Sequence, residues 1–287
     1  MPTPRSQFGA ALVDGEIYTV GGLTKPPGGR FVASPAVESF DPVVARWRRL
    51  TDLPSPRHHL MTAAYDGRLF VFGGYDGDAG DPGSPTDEAW RYDPRVGRWE
   101  PIAPLPHGSA AGMAVVVGDG IFIVGGVPRG RSVYRYDPGR DAWETMAPMA
   151  EPAEHLAAVL LDGRIHAIGG RWRGQELASL AVYDSTADAW RELPALHTAR
   201  SGFEAAVWGS RIIAMGGEIV GTRETLASVE VFDPATGAWS YASPLPIPLE
   251  GHRAAIVDGA LYLIGGLPPP DHADDFGVSW RLELVAP

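Results

Sequence analysis

Short runs of apolar residues, each closed by two consecutive glycines, recur six times along the chain. The copies are Glu16–Gly22 (EIYTVGG), Arg68–Gly74, Gly120–Gly126, Arg164–Gly170, Arg211–Gly217 and Ala260–Gly266. A row of β-branched, aromatic and other apolar residues is typical of a buried β-strand, and the glycines indicate a backbone that needs freedom from Cβ atoms. The pattern therefore predicts one buried strand in each of six repeated units.

A pair of turn-forming residues precedes each glycine doublet by seven residues. The pairs are Asp14-Gly15, Asp66-Gly67, Gly118-Asp119, Asp162-Gly163, Gly209-Ser210 and Asp258-Gly259. Such pairs between apolar segments predict a two-stranded hairpin in every unit. The doublets begin at positions 21, 73, 125, 169, 216 and 265, so the spacing is 44 to 52 residues. A period of this length indicates a propeller or a solenoid.

A third and a fourth strand are predicted in each of the first five units. An aspartate that opens a turn closes the third strand, and a tryptophan six residues later anchors the fourth strand. These pairs are Asp41 and Trp47, Asp93 and Trp99, Asp137 and Trp143, Asp184 and Trp190, and Asp233 and Trp239. The sixth unit has neither residue at this spacing, so only three strands are predicted there.

The glycine doublet, the aromatic-Asp-Pro turn and the spaced tryptophan resemble the kelch repeat. The resemblance extends from Arg5 to about Gly266 and implies an all-β fold, a six-bladed propeller with antiparallel blades around a central channel. We expect a single domain over 1–287, with a last blade of three strands. The expected blade boundaries are approximately 5–53, 57–105, 107–149, 154–194, 200–245 and 252–287.

Composition narrows the function classes. The net charge of −11 argues against a nucleic-acid partner, because phosphate binding needs a basic surface. The chain has no cysteine, no phosphate-binding loop and no dinucleotide fingerprint, so we expect no cofactor. It also has no apolar segment long enough to span a membrane and no recognisable signal peptide at its start, which predicts a cytoplasmic protein without membrane contact. We also expect a monomer.

The predicted functional surface is the mouth of the channel at the doublet end of the blades. Loops of variable length open there, and variation on one face of a repeat fold marks a binding face. These loops are residues 23–39, 75–91, 127–135, 171–182 and 218–231. The opposite face carries the short, uniform hairpin turns.

Alternation along the innermost strands sorts their side chains into two sides. On one side, Glu204 and Arg253 share a depth in adjacent blades, where the simplest role is an ion pair. His59 and His155 share another depth nearer the mouth, and a weaker alternative is that they bind a metal. On the other side, His58 and Glu154 are expected to pack between blades.

The kelch resemblance also implies ligand contacts. In kelch domains of ubiquitin-ligase adaptors, the residue after the doublet and an Arg-Ser pair that opens the inner strand contact peptides. Tyr75 and Arg171 match the first position, and Arg5-Ser6 and Arg200-Ser201 match the second. The mouth also holds Glu154, Glu218 and Glu250, so it is not uniformly basic. The predicted ligand-binding set is Arg57, His59, Tyr75, Arg171, Trp172 and Glu218.

Two function classes stay open at this point. One is a module that binds a peptide or a small polar molecule at the mouth. The other is a cofactor-free isomerase, mutarotase or lyase, with Glu204, His155 and Arg253 as acid–base and carboxylate-holding residues. In size and solitary architecture the chain resembles the bacterial kelch mutarotase that acts on sialic acid. Pairing of Glu204 with Arg253 in a sealed channel would favour binding, whereas their separation around an open pocket would favour catalysis.

Overall fold

The computed structural model describes residues 1–80, 83–269 and 276–283. In these residues the regular structure consists of β-strands, and no helix long and apolar enough to span a bilayer is found there. Five four-stranded sheets and one three-stranded sheet form the six blades. The prediction of an all-β, six-bladed propeller is confirmed.

Each blade is an antiparallel meander whose strands follow one another from the channel outward. The first three blades consist of β1 (Gly9–Val13), β2 (Glu16–Val20), β5 (Val37–Asp41) and β6 (Arg46–Arg49); β7 (Met61–Tyr65), β8 (Arg68–Phe72), β9 (Ala89–Asp93) and β10 (Arg98–Ile102); and β11 (Met113–Val117), β12 (Gly120–Val124), β13 (Val133–Asp137) and β14 (Ala142–Thr145). The last three consist of β15 (Ala157–Leu161), β16 (Arg164–Ile168), β19 (Leu180–Asp184) and β20 (Ala189–Leu193); β21 (Glu204–Trp208), β22 (Arg211–Met215), β25 (Val229–Asp233) and β26 (Ala238–Ala242); and β27 (Arg253–Val257), β28 (Ala260–Ile264) and β29 (Ser279–Glu283).

Three short ribbons lie in the loops at the mouth. Each consists of two antiparallel two-residue strands, the first of which begins directly after a glycine doublet. They are β3 (Leu23–Thr24) with β4 (Val32–Ala33), β17 (Arg171–Trp172) with β18 (Gln175–Glu176), and β23 (Glu218–Ile219) with β24 (Glu224–Thr225). The ribbons hold Arg171 and Glu218 at the rim of the channel.

Six hydrophobic clusters, one between each pair of neighbouring blades, form the core. The spaced tryptophans lie against the aromatic residue of the third strand; for example, the rings of Tyr92 and Trp99 are 4.9 Å apart. The indole nitrogen of Trp99 donates to the carbonyl of Thr51 in the connector from the preceding blade. A side chain repeated in this way ties neighbouring blades together.

The glycine doublets connect each blade to the next. The second glycine of a doublet donates its N–H to the carbonyl of the residue that opens the next inner strand. Gly22, for example, donates to the carbonyl of Arg57 at 2.7 Å. Gly22 has a φ of +100°, and a Cβ atom there would lie 2.6 Å from the Cβ of Phe8. A glycine is needed because the backbone passes so close to the inner strand.

Among the described residues, the first and last blades exchange no strand where the ring closes. The innermost strands β1 and β27 contact each other. Gly266 donates to the carbonyl of Arg5 at 3.0 Å, and Gln7 donates to that of Gly251 at 2.9 Å. The predicted three-stranded last blade is confirmed for the described residues; 270–275 and 284–287, within its expected bounds, lie outside them.

Candidate functional site

The floor of the mouth is a closed ring of six backbone hydrogen bonds. One residue from each blade contributes, and each N–H donates to the carbonyl of its counterpart in an adjacent blade at 2.7 to 3.0 Å. Every one of these residues has a positive φ, which turns its peptide groups around the channel axis. The residues are Gln7, His59, Ala111, His155, Gly202 and Gly251. The ring narrows the channel to a cavity of about 20 Å³.

Beneath this ring, Glu204 and Arg253 bond to each other. The guanidinium Nη1 of Arg253 lies 3.2 Å from Oε2 of Glu204, and Oε1 of Glu204 accepts the N–H of Ala205 at 3.1 Å. Burial raises the pKa of Glu204, and Arg253 partly offsets that effect. The two residues thus form the ion pair across adjacent blades that is the simpler of their two predicted roles.

At the rim, the side chain of Arg171 joins blades four and five. Its Nε donates to Oε1 of Glu154 at 3.2 Å, and its Nη1 donates to Oε1 of Glu218 at 2.6 Å. Glu154 is partly buried, which acts to raise its pKa, but its bonds with His155 and Arg171 hold that pKa below the usual value. Arg171 therefore has two carboxylate partners before any ligand binds.

A third carboxylate, that of Glu250, lies beside Glu218. A Cβ atom placed on Gly202 would be 3.3 Å from Oε1 of Glu218 and 3.7 Å from Oε2 of Glu250, so both side chains converge above this glycine. Burial and the neighbouring charge of Glu218 raise the pKa of Glu250 to about 8. Within the described ranges Glu250 has no ion-pair partner. Glu250 is therefore largely protonated at pH 7, and a cation beside it would favour its charged form.

Three histidines and a tyrosine form the opposite side of the mouth. The rings of His59 and His155 are 4.7 Å apart, and the ring of Tyr75 lies 5.4 Å from that of His58. Nδ1 of His58 also contacts Nδ1 of His59. Burial lowers the pKa of His58 to about 4 and holds the pKa of both His59 and His155 below the usual value. The histidine rings are neutral at pH 7. Tyr75 and His59 are partly exposed to the mouth, whereas His58 is buried beneath them.

The weaker metal alternative for His59 and His155 gains no further ligand from the structure. Nδ1 of His155 bonds to Glu154 at 2.9 Å, and its Nε2 lies 3.3 Å from Nη2 of Arg171. Among the described residues, no group of three histidines or acidic residues could hold a metal ion. The narrow mouth nevertheless brings these blades closer together than the sequence indicated.

Two residues of the predicted ligand set lie elsewhere. Arg57 is 3% exposed and bonds to Glu88 inside its own blade. Arg5 and Arg200, at the same position of other blades, are fully buried beside Glu38 and Glu230. The arginine that opens an inner strand is therefore a structural residue in these three blades.

Trp172 packs on the loop that follows the glycine doublet of the preceding blade. A Cβ atom on Gly130 would lie 2.6 Å from its ring, so the indole covers that loop. Its partner in the short ribbon is Gln175. The structure thus brings His59 and Tyr75, and Arg171 and Glu218, of the predicted set into contact. Arg57 is buried inside its blade, and Trp172 packs on a neighbouring loop.

His58, Glu154 and Glu250 are the mouth residues that the predicted set omits. Each forms an isolated bridge with the residue after a doublet, as His58 does with Tyr75 and Glu154 does with Arg171. The left-handed residue that follows His58 and Glu154 breaks the strand alternation, and these two side chains contact Tyr75 and Arg171 of their own blades. The sequence does mark this position, because in every unit it is the residue directly before the one that forms the backbone ring.

Four stretches of the chain match the family model described as the Kelch motif. They are residues 4–54, 56–106, 153–197 and 199–246, which together exceed half of the chain. The chain belongs to the kelch family. The predicted kelch resemblance is thus confirmed, and a kelch propeller supports a general role in binding or protein interaction.

Two curated relatives and one solved structure illustrate the relationship. Kelch-like protein terF of Aspergillus terreus is 26% identical over 282 residues, and human Kelch-like protein 34 is 31% identical over 244 residues. These alignments cover 92% and 80% of this chain but only 61% and 31% of the relatives' length. The solved structure of YjhT superimposes with a TM-score of 0.83 at 16% identity, over 99% of this chain and 96% of that one. This last similarity concerns the fold alone.

Proposed function

We propose that this kelch propeller binds a peptide, or an exposed segment of a partner protein, that presents a basic group to the mouth. The observation that supports this proposal most directly is that the side chains of Glu218 and Glu250 converge above Gly202. Arg171, which neutralises Glu218, is already shared with Glu154. An ammonium or guanidinium placed between the two carboxyl groups would favour the charged form of Glu250 and take the place of the proton that it holds at pH 7.

The shape of the mouth favours a ligand that lies across it. The cavity at the floor measures about 20 Å³, which is room for about one water molecule. A peptide side chain can reach the carboxylates from above, while the partly exposed ring of Tyr75 offers an aromatic contact across the mouth. Aromatic side chains of this kind are enriched at protein interfaces.

The same geometry gives less support to the enzyme alternative. Its three residues are Glu204, His155 and Arg253. Glu204 and Arg253 bond to each other beneath the floor, and both ring nitrogens of His155 already have partners. A small polar substrate would have to displace these contacts before it met a free acid or base. The ligand-binding role needs no such rearrangement.

Fluorescein-labelled decapeptides test the proposal. A peptide with a central lysine or arginine should bind the wild-type protein, and a peptide with glutamate in that place should not. Glu250→Gln and Glu218→Gln should each weaken the basic peptide about tenfold, the equivalent of about 1.4 kcal/mol. Glu144→Gln, an outer-strand control whose side chain is 51% exposed, should leave the affinity unchanged. Equal binding of basic and acidic peptides would contradict the proposal.

Three expectations about the protein as a whole stay predictions. They are a monomeric state, a cytoplasmic location and the absence of nucleic-acid binding. The net charge of −11 supports the last of these. Light scattering of the purified protein measures the first directly, because a propeller of 30.6 kDa and its dimer differ twofold in mass.

A further inference from the structure

The outer edge of blade six differs from that of every other blade. Five blades end in a fourth strand, whereas β29 pairs with β28 alone within the residues that the structure describes. An exposed strand edge offers N–H and C=O groups that can pair with another chain.

Two apolar cavities flank β29, one on each face of the blade. The cavity toward blade one measures about 580 Å³ and is lined by Phe40, Trp47 and Tyr262 among others. The cavity toward blade five measures about 390 Å³, and its lining includes Met215 and Leu282. Side chains of a strand alternate between the two faces of a sheet, so one added strand would fill both cavities.

Strand register identifies which side chain belongs in the smaller cavity. In blade five, Ile212 pairs with Phe232, and Phe232 pairs with Trp239 of the fourth strand. In blade six, Leu261 occupies the place of Ile212 and pairs with Leu282. A fourth strand would therefore place an aromatic residue opposite Leu282, in the cavity toward blade five.

The carbonyl of Ser243 is at the position where it could accept a hydrogen bond from that aromatic residue. In the complete blades the tryptophan N–H donates to a carbonyl in the connector from the preceding blade, as Trp239 does to Pro194 at 2.8 Å. Pro194 lies six residues before Arg200, which opens the next inner strand, and Ser243 lies six residues before Leu249. Ser243 lines the smaller cavity. The site thus fits an indole in both shape and hydrogen bonding.

The positive charge of Arg281 indicates which residue of the added strand would lie opposite it. Arg281 pairs with Tyr262 in the register that Arg91 shares with Phe70 and Arg135 shares with Phe122. In those two complete blades the arginine meets a glutamate that directly follows the tryptophan: Arg91 donates to Glu100 at 2.8 Å, and Arg135 to Glu144 at 3.4 Å. Arg281 now bonds to Glu283 two residues along its own strand and to the hydroxyl of Tyr262. An acidic residue after the aromatic one would take the place of Glu283 or share Arg281 with it.

The amino-terminal segment touches the larger cavity without filling it. The ammonium of Met1 donates to the carbonyl of Gly277 at 3.3 Å, and Pro4 also lies against Gly277. Neither residue pairs with β29. A second copy of β29 is a poor partner as well, because the antiparallel register that pairs all of Ser279–Glu283 places Arg281 opposite Arg281.

We propose that the edge of blade six binds an extended segment of a partner protein as an antiparallel fourth strand, with a Trp-Glu pair opposite Leu282 and Arg281. The tryptophan enters the cavity toward blade five, and the glutamate meets Arg281. Backbone hydrogen bonds to β29 supply affinity, and the two side chains supply specificity, as in other cases of strand addition. This site is separate from the mouth.

The probe is the peptide GRDAWETMA, which copies residues 139–147. Hydrogen exchange of alternate amides in Ser279–Glu283 should slow on the order of tenfold at saturating peptide. Replacing the peptide's tryptophan by alanine should abolish this protection. Glu250→Gln at the mouth should leave the peptide's affinity unchanged, which distinguishes the failure of this proposal from that of the mouth.

A charge exchange tests the predicted pairing. Arg281→Glu should weaken the Trp-Glu peptide about fivefold and strengthen binding of the same peptide with lysine in place of glutamate. Arg281 is 54% exposed, so the variant should fold. Arg135→Glu, the equivalent change in a complete blade, should alter neither affinity. Unchanged preference in Arg281→Glu, no protection of β29 by the peptide, or protection through a concentration-dependent homodimer would each overturn the proposal.

Discussion

Nη1 of Arg253 lies 3.2 Å from Oε2 of Glu204, directly beneath the ring of backbone hydrogen bonds that closes the mouth. Their side chains are only 17% and 7% exposed. Two opposite charges attract each other strongly at a buried site. Removal of one partner is also costly there, because the other charge then stays buried without a counter-ion. The pair ties blade six to blade five at a depth where other blades have small or apolar residues.

The first prediction concerns the removal of one partner. Arg253→Met should lower the free energy of unfolding by about 3 kcal/mol, because Glu204 would stay buried without a cation. The double variant with Glu204→Gln should recover much of that loss, since no buried charge remains. Urea unfolding at pH 7 measures both values. Strictly additive losses would show that the two side chains do not interact.

The second prediction concerns the arginines that open the inner strands. Arg200 is fully buried, and its Nη2 lies 2.7 Å from Glu230. Arg200→Ala should cost about 3–5 kcal/mol in unfolding free energy. Arg211→Ala removes a pair with Asp233 whose side chains are 30% and 26% exposed, and should cost less than about 1 kcal/mol. Similar losses in both variants would argue against a structural role specific to the buried position.

Much of the fold could be predicted because its determinants are local and repeated. The turn at Asp14-Gly15, the doublet at Gly21-Gly22 and the spacing from Asp41 to Trp47 each define one piece of a blade. Recurrence of the same pieces predicts the number of blades. The three-stranded last blade followed from the same reasoning, since its third strand ends without these residues.

The mouth was harder to predict for two physical reasons. Strand alternation does not hold at His58 and His59, because His59 has a φ of +55° and lies outside the regular strand. The distance between His59 and His155 depends on how tightly six strands close around an axis. No local pattern encodes that radius, which brings the two rings to 4.7 Å from each other.

The third prediction concerns the pH dependence of stability. The carboxyl of Glu250 has a pKa of about 8 in the folded protein, because of burial and the nearby Glu218, against 4.5 in an unfolded chain. Between these values the folded state holds more protons, so stability falls as the pH rises. Glu250→Gln should flatten this decline between pH 5 and pH 8. Thermal unfolding across that range measures the slope, and identical slopes would refute the assignment.

Binding at the mouth should be linked to the same proton. A cation beside Glu250 favours its charged form and lowers its pKa, so a basic peptide should release protons on binding at pH 7. Calorimetry in two buffers of different ionisation enthalpy measures the number released. Glu250→Gln should abolish the release. Proton uptake in the wild-type protein would contradict the proposed site.

The last prediction concerns His252, which is fully buried between blades and has no hydrogen-bond partner for either ring nitrogen among the described residues. The equivalent position is Phe8 in blade one and Phe203 in blade five. Burial lowers the pKa of His252 to about 3, whereas the unfolded side chain titrates near 6.5. The unfolded state therefore binds the extra proton between these values, and stability is lost as the pH falls through that window.

His252→Phe should raise the unfolding free energy at pH 7 by about 1–2 kcal/mol, because two buried polar atoms without partners are removed. The gain should grow on going from pH 7 to pH 4.5, where the wild-type protein loses stability to protonation of the unfolded chain. His166→Phe is the matched control, since Nδ1 of that buried histidine already lies 3.2 Å from the carbonyl of Arg164. Its gain at pH 7 should be smaller. A loss of stability in His252→Phe and also in His252→Leu would mean that the imidazole has partners that its surroundings do not reveal.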